Sequence, residues 1–173
     1  GWDGTGNQPY NGMFSITAFD EGFSSDLGYT TPTNLQMWGV GTAQVTDISF
    51  DYVAETDEYY SLACTLSDGT LMTYVNGVLT NIASYNSDAD PDKLILGKKL
   101  GGDTDRKWFT GDIAEVIVFD EALNNQEIIT LNSDNNSFED LGYGPILHYK
   151  FNSVSDDILY DHSGNDNHGI IYG

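Results

Sequence analysis

Asp161, Asn165 and Asn167 fall within one glycine-containing turn of the sequence, with Asp166 beside them. Hard oxygen ligands at nearly alternate positions suit Ca²⁺, and these three residues are the expected metal ligands. The competing reading is an Asx-rich turn whose side chains satisfy their own backbone. Two other acidic turns, Asp88-Ala89-Asp90-Pro91-Asp92 and Asp103-Thr104-Asp105, read as solvated loops. Trp2 and Trp108 sit beside polar loops, where an exposed ring can stack on a sugar, and they are the expected ligand contacts. Trp38 lies within an apolar run and reads as core.

No set of residues in the chain makes a convincing catalytic centre. Cleavage of a glycosidic bond needs two carboxylates on one cleft. Glu55-Thr56-Asp57-Glu58 places Glu55 and Asp57 on one face of an extended segment but turns Glu58 away, and it reads as a solvated turn. The three histidines, His148, His162 and His168, cluster near the C-terminus without a nucleophile motif. His168, in an Asn-His-Gly turn, reads as structural. Cys64 is the one cysteine, set in the apolar run 59–64, so it reads as a free buried thiol and allows no disulfide within the chain. Phosphate-loop and zinc spacings are absent. The expectation is a protein that is not an enzyme.

The elements that must position these residues are mostly strands. Runs at 13–19, 35–40 and 45–53 are strand-like, and in the last of them Ile48, Phe50 and Tyr52 alternate with Ser49 and Asp51. Further strands are expected at 59–66, 71–75, 78–84, 93–97, 108–119, 146–151 and 170–172. Asn76-Gly77 is a strong hairpin signal because both residues accept positive φ. Leu123, Glu127 and Leu131 at helical spacing predict one short helix near residues 122–131, started by Asn124 or Asn125. Residues 132–145 read as a linker and 161–169 as a turn cluster. Strands followed by one late helix exclude alternating βαβ folds and favour an all-β, two-sheet antiparallel jelly-roll sandwich.

The composition agrees. A chain of 173 residues suits a single domain, and 39% apolar residues can supply its core. Nineteen glycines, with many Asn, Asp and Ser between apolar runs, match many short strands. The net charge of −21, from 27 acids against 6 bases, argues against nucleic acid and anionic membrane surfaces. No run is long enough to span a membrane, and no signal peptide is visible. The first 92 residues contain no Lys or Arg and so offer trypsin-like proteases nothing, which would suit a protein outside cells. A chain that begins at Gly1 is expected to be a processed product or a piece of something longer.

Three stretches together resemble one family. The first is Ser67-Asp68-Gly69-Thr70-Leu71-Met72-Thr73-Tyr74-Val75-Asn76-Gly77-Val78. The second runs from Phe109-Thr110-Gly111-Asp112-Ile113-Ala114-Glu115-Val116 to Gln126-Glu127-Ile128. The third is Leu147-His148-Tyr149-Lys150-Phe151 followed by Asp161-His162-Ser163-Gly164-Asn165-Asp166-Asn167-His168-Gly169. Together they resemble laminin-G-like and concanavalin A-like lectin/glucanase jelly rolls. The third stretch resembles the opening of that family, yet it stands at the C-terminus. A circular permutant, a slice out of phase from a tandem array, and a donor strand for a neighbouring subunit all fit this order.

The resemblance implies a binding or adhesion module of the extracellular space, on a secreted, cell-surface or virion protein, with glycan or protein partners and Ca²⁺ as cofactor. The alternatives are a structural subunit that polymerises into filaments through residues 146–173 and, least favoured, a glycoside hydrolase. Glycosidases of the same fold carry Glu-x-Asp-x-Glu on one strand, a pattern that Glu55 to Glu58 does not reproduce.

Overall fold

In a computed structural model of the chain, the described residues are 11–18, 23–29, 34–40, 45–53, 58–84, 93–97, 111–133, 141 and 144–172. Trp2, Trp108, Glu55, Asp57 and the acidic turns at 88–92 and 103–105 lie outside them. So does most of the expected linker. The contacts of the chain divide into two compact units, Gly1–Gly111 and Asp112–Gly173.

The first unit carries β1 (Asn11–Ala18), β2 (Phe23–Tyr29), β3 (Asn34–Val40), β4 (Val45–Val53), β5 (Leu62–Ser67), β6 (Thr70–Val75), β7 (Val78–Ser84) and β8 (Lys93–Leu96). They form a five-stranded sheet in the order β4-β3-β2-β1-β8 and a three-stranded sheet in the order β5-β6-β7. All their pairings are antiparallel. β2 is not expected from the sequence. Its residues, Phe-Ser-Ser-Asp-Leu-Gly-Tyr, lack sustained alternation, and what makes them a strand is continuous pairing with β1 on one side and β3 on the other.

β4 lies against β6 and β7, so the two sheets of this unit meet. Phe50 of β4 is fully buried, as its alternation predicts, and Leu71, Tyr74 and Val75 of β6 are buried with it. Each such side chain contributes roughly 1.5–3 kcal/mol. Two tight hairpins hold β5, β6 and β7 in register. At the first, Asp68 and Gly69 have φ of 48° and 71°; at the second, Asn76 and Gly77 have φ of 51° and 76°. Positive φ at both central residues matches the turn to the right-handed twist of the strands. Asn76 is tied down further. Its N–H donates to the Ser61 carbonyl at 2.8 Å, and its Oδ1 accepts the Ser61 N–H at 2.9 Å.

The second unit carries β9 (Val116–Val118), α1 (Asn125–Leu131), β10 (Leu147–Ser155), β11 (Ile158–Asp161) and β12 (Gly169–Ile170). Its sheet runs β12-β11-β10-β9, again antiparallel throughout. Of the strand expected over 108–119, only Val116–Val118 is extended among the described residues. The helix is where the spacing predicts, and Asn124 is its cap. Asn124 Oδ1 accepts the N–H groups of Gln126 and Glu127 at 2.9 and 3.1 Å. Glu127 Oε2 answers by accepting the Asn124 N–H at 2.7 Å. This reciprocal box stabilises a helix start by about 1 kcal/mol.

The C-terminal segment therefore does not hang free. Leu147, His148 and Tyr149 pair with Val118, Ile117 and Val116 of the same chain. Leu147, Tyr149 and Leu159 are buried beneath the sheet. Between Tyr149 and Val154 the ladder to β11 breaks into a bulge, with Phe151 at a φ of 50°. The Asp156-Asp157 turn beyond it repeats the two-residue geometry of the first unit, with φ of 54° and 62°.

Candidate functional site

The residues singled out in the C-terminal turn do come together, and Asp161 is their hub. As the last residue of β11 it faces inward, pairs with Tyr149 and is 8% exposed. Its carboxylate is fully engaged by donors of its own chain. Oδ1 accepts the N–H of His148 at 2.8 Å and that of Ser163 at 2.9 Å. Oδ2 accepts the Ser163 hydroxyl at 2.7 Å and the Asn167 N–H at 3.0 Å. Burial works against the charge, but these four bonds, all to the ionised form, outweigh it and hold the carboxyl at about 2.

Asn165 and Asn167 face the segment before β10. Asn167 Nδ2 donates to the Ile146 carbonyl at 2.8 Å. Asn165 Nδ2 reaches the carbonyls of Pro145 and Ile146 at 3.2 and 3.3 Å and the Ser163 hydroxyl oxygen at 3.0 Å. Because a carbonyl only accepts, the amide nitrogens must face these oxygens. The turn is thus sewn to β10 at one end and to residues 145–146 at the other. Tyr149 closes the arrangement from beneath. Its hydroxyl donates to the Asn167 carbonyl at 2.7 Å, and burial, together with the Asp161 charge, raises its pKa.

This donor set does not fit a Ca²⁺ ion. An oxygen cage needs free lone pairs converging on one point, whereas both Asp161 oxygens are already occupied by N–H and O–H groups. Among the described residues no three His, Cys, Asp or Glu side chains come close enough to hold a metal. The arrangement matches the Asx-rich turn.

The histidines surround the same hub. His168 Nδ1 accepts the Asp161 N–H at 3.1 Å, which requires the lone pair on that nitrogen. Its ring packs edge-on to Tyr160, with centroids 5.2 Å apart. His148 is buried, and its Nε2 lies 2.6 Å from Glu115 Oε1. The sequence reading missed the His148 and Glu115 pair, and strand alternation would have turned His148 to solvent. It missed the carbonyls of Pro145 and Ile146 as well, since a backbone acceptor carries no side-chain signal. Ser163 was legible as the serine of the Asp-x-Ser-Gly-Asn stretch. Elsewhere, Cys64 sits half-buried in β5, and desolvation pushes its thiol up to about 12, well away from a reactive thiolate.

The chain matches a family model described as concanavalin A-like lectin/glucanases superfamily over residues 4–129. No curated protein matches. Among solved structures, the chain is similar to a putative carbohydrate binding protein from Bacteroides ovatus. The TM-score is 0.64 at 18% identity, covering 92% of this chain and 47% of that one. It is also similar to a native heptameric SAP-like pentraxin from Limulus polyphemus. There the TM-score is 0.60 at 19% identity, covering 75% of this chain and 66% of that one. The chain thus spans about half of the first protein's length and just under two thirds of the second's. At these identities the likeness is one of fold. Among the described residues, no helix is long and apolar enough to cross a membrane.

Proposed function

This chain belongs to the concanavalin A-like lectin/glucanase superfamily, and from that premise we propose that it is a non-enzymatic binding module for glycans, working outside the cell. The observation that carries this is the family match over residues 4–129, joined to a fold shared with a putative carbohydrate binding protein across most of the chain. The superfamily also includes glucanases, so the chemistry must be argued from residues. Glu55 and Asp57 share a face of their segment but Glu58 turns away, so the Glu-x-Asp-x-Glu pattern is not reproduced, and the best-organised carboxylate, Asp161, is spent on backbone and hydroxyl donors. A group held at about 2 by four hydrogen bonds cannot serve as a general acid near neutral pH.

The ligand contacts in this reading are the loop tryptophans Trp2 and Trp108. The pairing of β10 with β9 of the same chain supports a self-contained module over a strand-donating filament subunit. The test is a glycan array probed with the full chain, followed by titration of any hit against Trp2→Ala and Trp108→Ala. Binding that either substitution weakens supports the proposal. Release of reducing sugar from the bound glycan would overturn its non-enzymatic part, and an array with no hit would overturn the glycan part.

A further inference from the structure

The outermost strand of the second unit's sheet has an unusual exposure. β12 pairs with β11 through Leu159 with Gly169 and Ile158 with Ile170, and among the described residues it is the last strand on that side of the sheet. One face of this pairing is closed, because Leu159 is buried and Gly169 lies against the Tyr149 ring. The other face is open and apolar. Ile170 is 67% exposed and Tyr172 84%, with Tyr160 of β11 exposed on the same side.

The backbone of β12 is open too. The Ile171 N–H donates to the Asp157 carbonyl at 2.8 Å, toward β11. In an antiparallel ladder adjacent residues point their N–H and C=O groups to opposite sides, so the amide and carbonyl of Ile170 face away from β11. An edge that is apolar and whose outer backbone groups have no partner strand among the described residues is a template for another strand.

The charge around the edge selects what can add there. Asp157 is exposed in the turn beside Ile171, and the Asp166 side chain is 93% exposed in the turn leading into β12. Lys150 is the one Lys or Arg in residues 112–173. A second copy would bring a net charge of −21 against the same sign, and like charges facing each other oppose docking. We propose that the open edge of β12 docks an extended peptide segment of a partner protein as an added strand, with apolar residues against Ile170 and Tyr172 and alternate Lys or Arg residues facing Asp157 and Asp166. The proposal stands apart from the glycan reading, because it uses neither loop tryptophan.

The test is an NMR titration of the isotope-labelled full chain with a hexapeptide of alternating Lys and Val. Hexalysine and a hexapeptide of alternating Glu and Val serve as controls. Amide shifts centred on residues 170–172, with the Lys-Val peptide binding at least about tenfold more tightly than either control, are the expected result. Ile170→Pro removes the outward N–H without touching a bond to β11, and Ile170→Lys removes the apolar contact and adds repulsion. Each should weaken binding by about tenfold or more. Should the proline variant fail to fold, as judged by thermal melting, the lysine variant carries the test. No binding of the Lys-Val peptide up to about 1 mM overturns the proposal. Equal binding of hexalysine, affinity unchanged in Ile170→Lys, or dimerisation of the chain through these residues also overturns it.

Discussion

The backbone N–H of His148 ends on Oδ1 of Asp161 at 2.8 Å, which joins the start of β10 to the end of β11 through a side chain instead of a backbone carbonyl. The hydrogen bond from the His162 N–H to the His148 carbonyl, also 2.8 Å, completes the exchange. Asp161 thus works as a piece of the ladder and as the anchor of the turn that follows it.

Replacing that carboxylate should be costly. In Asp161→Asn one oxygen can still accept from His148 and Ser163, but the new NH₂ group would face the Asn167 N–H, donor against donor. We expect a loss of about 2–3 kcal/mol in urea denaturation. The same residue gives acid sensitivity a definite sign. A carboxyl held at about 2 in the folded chain, against an ordinary value of 3.8, contributes stability that is fully present above pH 4. As the pH falls from about 4 toward 2 that contribution, about 2 kcal/mol, is lost. Asp161→Asn should flatten this part of the stability curve; a variant with the wild-type slope would show that other carboxylates produce it.

Gly169 and Tyr149 are coupled by close packing. A Cβ at Gly169 would lie 3.1 Å from the Tyr149 hydroxyl oxygen and 3.4 Å from the carbon bearing it. Gly169→Ala should therefore displace the ring and strain its bond to the Asn167 carbonyl, costing about 1–2 kcal/mol. Tyr149→Phe removes the tightest contact. In a double-mutant cycle, Gly169→Ala should cost less when combined with Tyr149→Phe than in the wild type, and strict additivity would refute the coupling.

At the β6–β7 hairpin, two separate demands fall on Asn76: a φ of 51° and a bond to the Ser61 N–H. Asn76→Gly keeps the first and loses the second, whereas Asn76→Ala loses both. Thermal unfolding should rank them wild type, Gly, Ala, with the alanine variant down by about 1–2 kcal/mol. If alanine is tolerated as well as glycine, the positive φ is not what constrains the site.

The donor set at Asp161 also makes a prediction about calcium. The melting temperature should not depend on the turn binding the ion: a rise with Ca²⁺ that a chelator reverses, and that disappears in Asp161→Asn, would show that a cation displaces the four donors. A rise that persists in the variant would place the ion on other oxygens of the chain.

Much of this protein was determined by local pattern. The alternation at Ile48, Phe50 and Tyr52, the positive-φ pair Asn76-Gly77 and the spacing of Leu123, Glu127 and Leu131 each act over a few residues, so a strand, a hairpin and a helix follow from the string alone. The apolar alternation of Leu147 and Tyr149 likewise required burial of those two side chains. Tertiary structure decided what local pattern could not reach. β2 has a polar sequence and exists through its neighbours' hydrogen bonds. β10 pairs with β9 although some thirty residues separate them, and the sequence left its partner open among its own chain, an array and a neighbouring subunit. Above all, the oxygens of Asp161 and the amides of Asn165 and Asn167 have the same chemistry in a cation cage and in a hydrogen-bonded turn. Which of the two they form depends on where the N–H groups of His148, Ser163 and Asn167 and the carbonyls of Pro145 and Ile146 point, and only the folded backbone directs them.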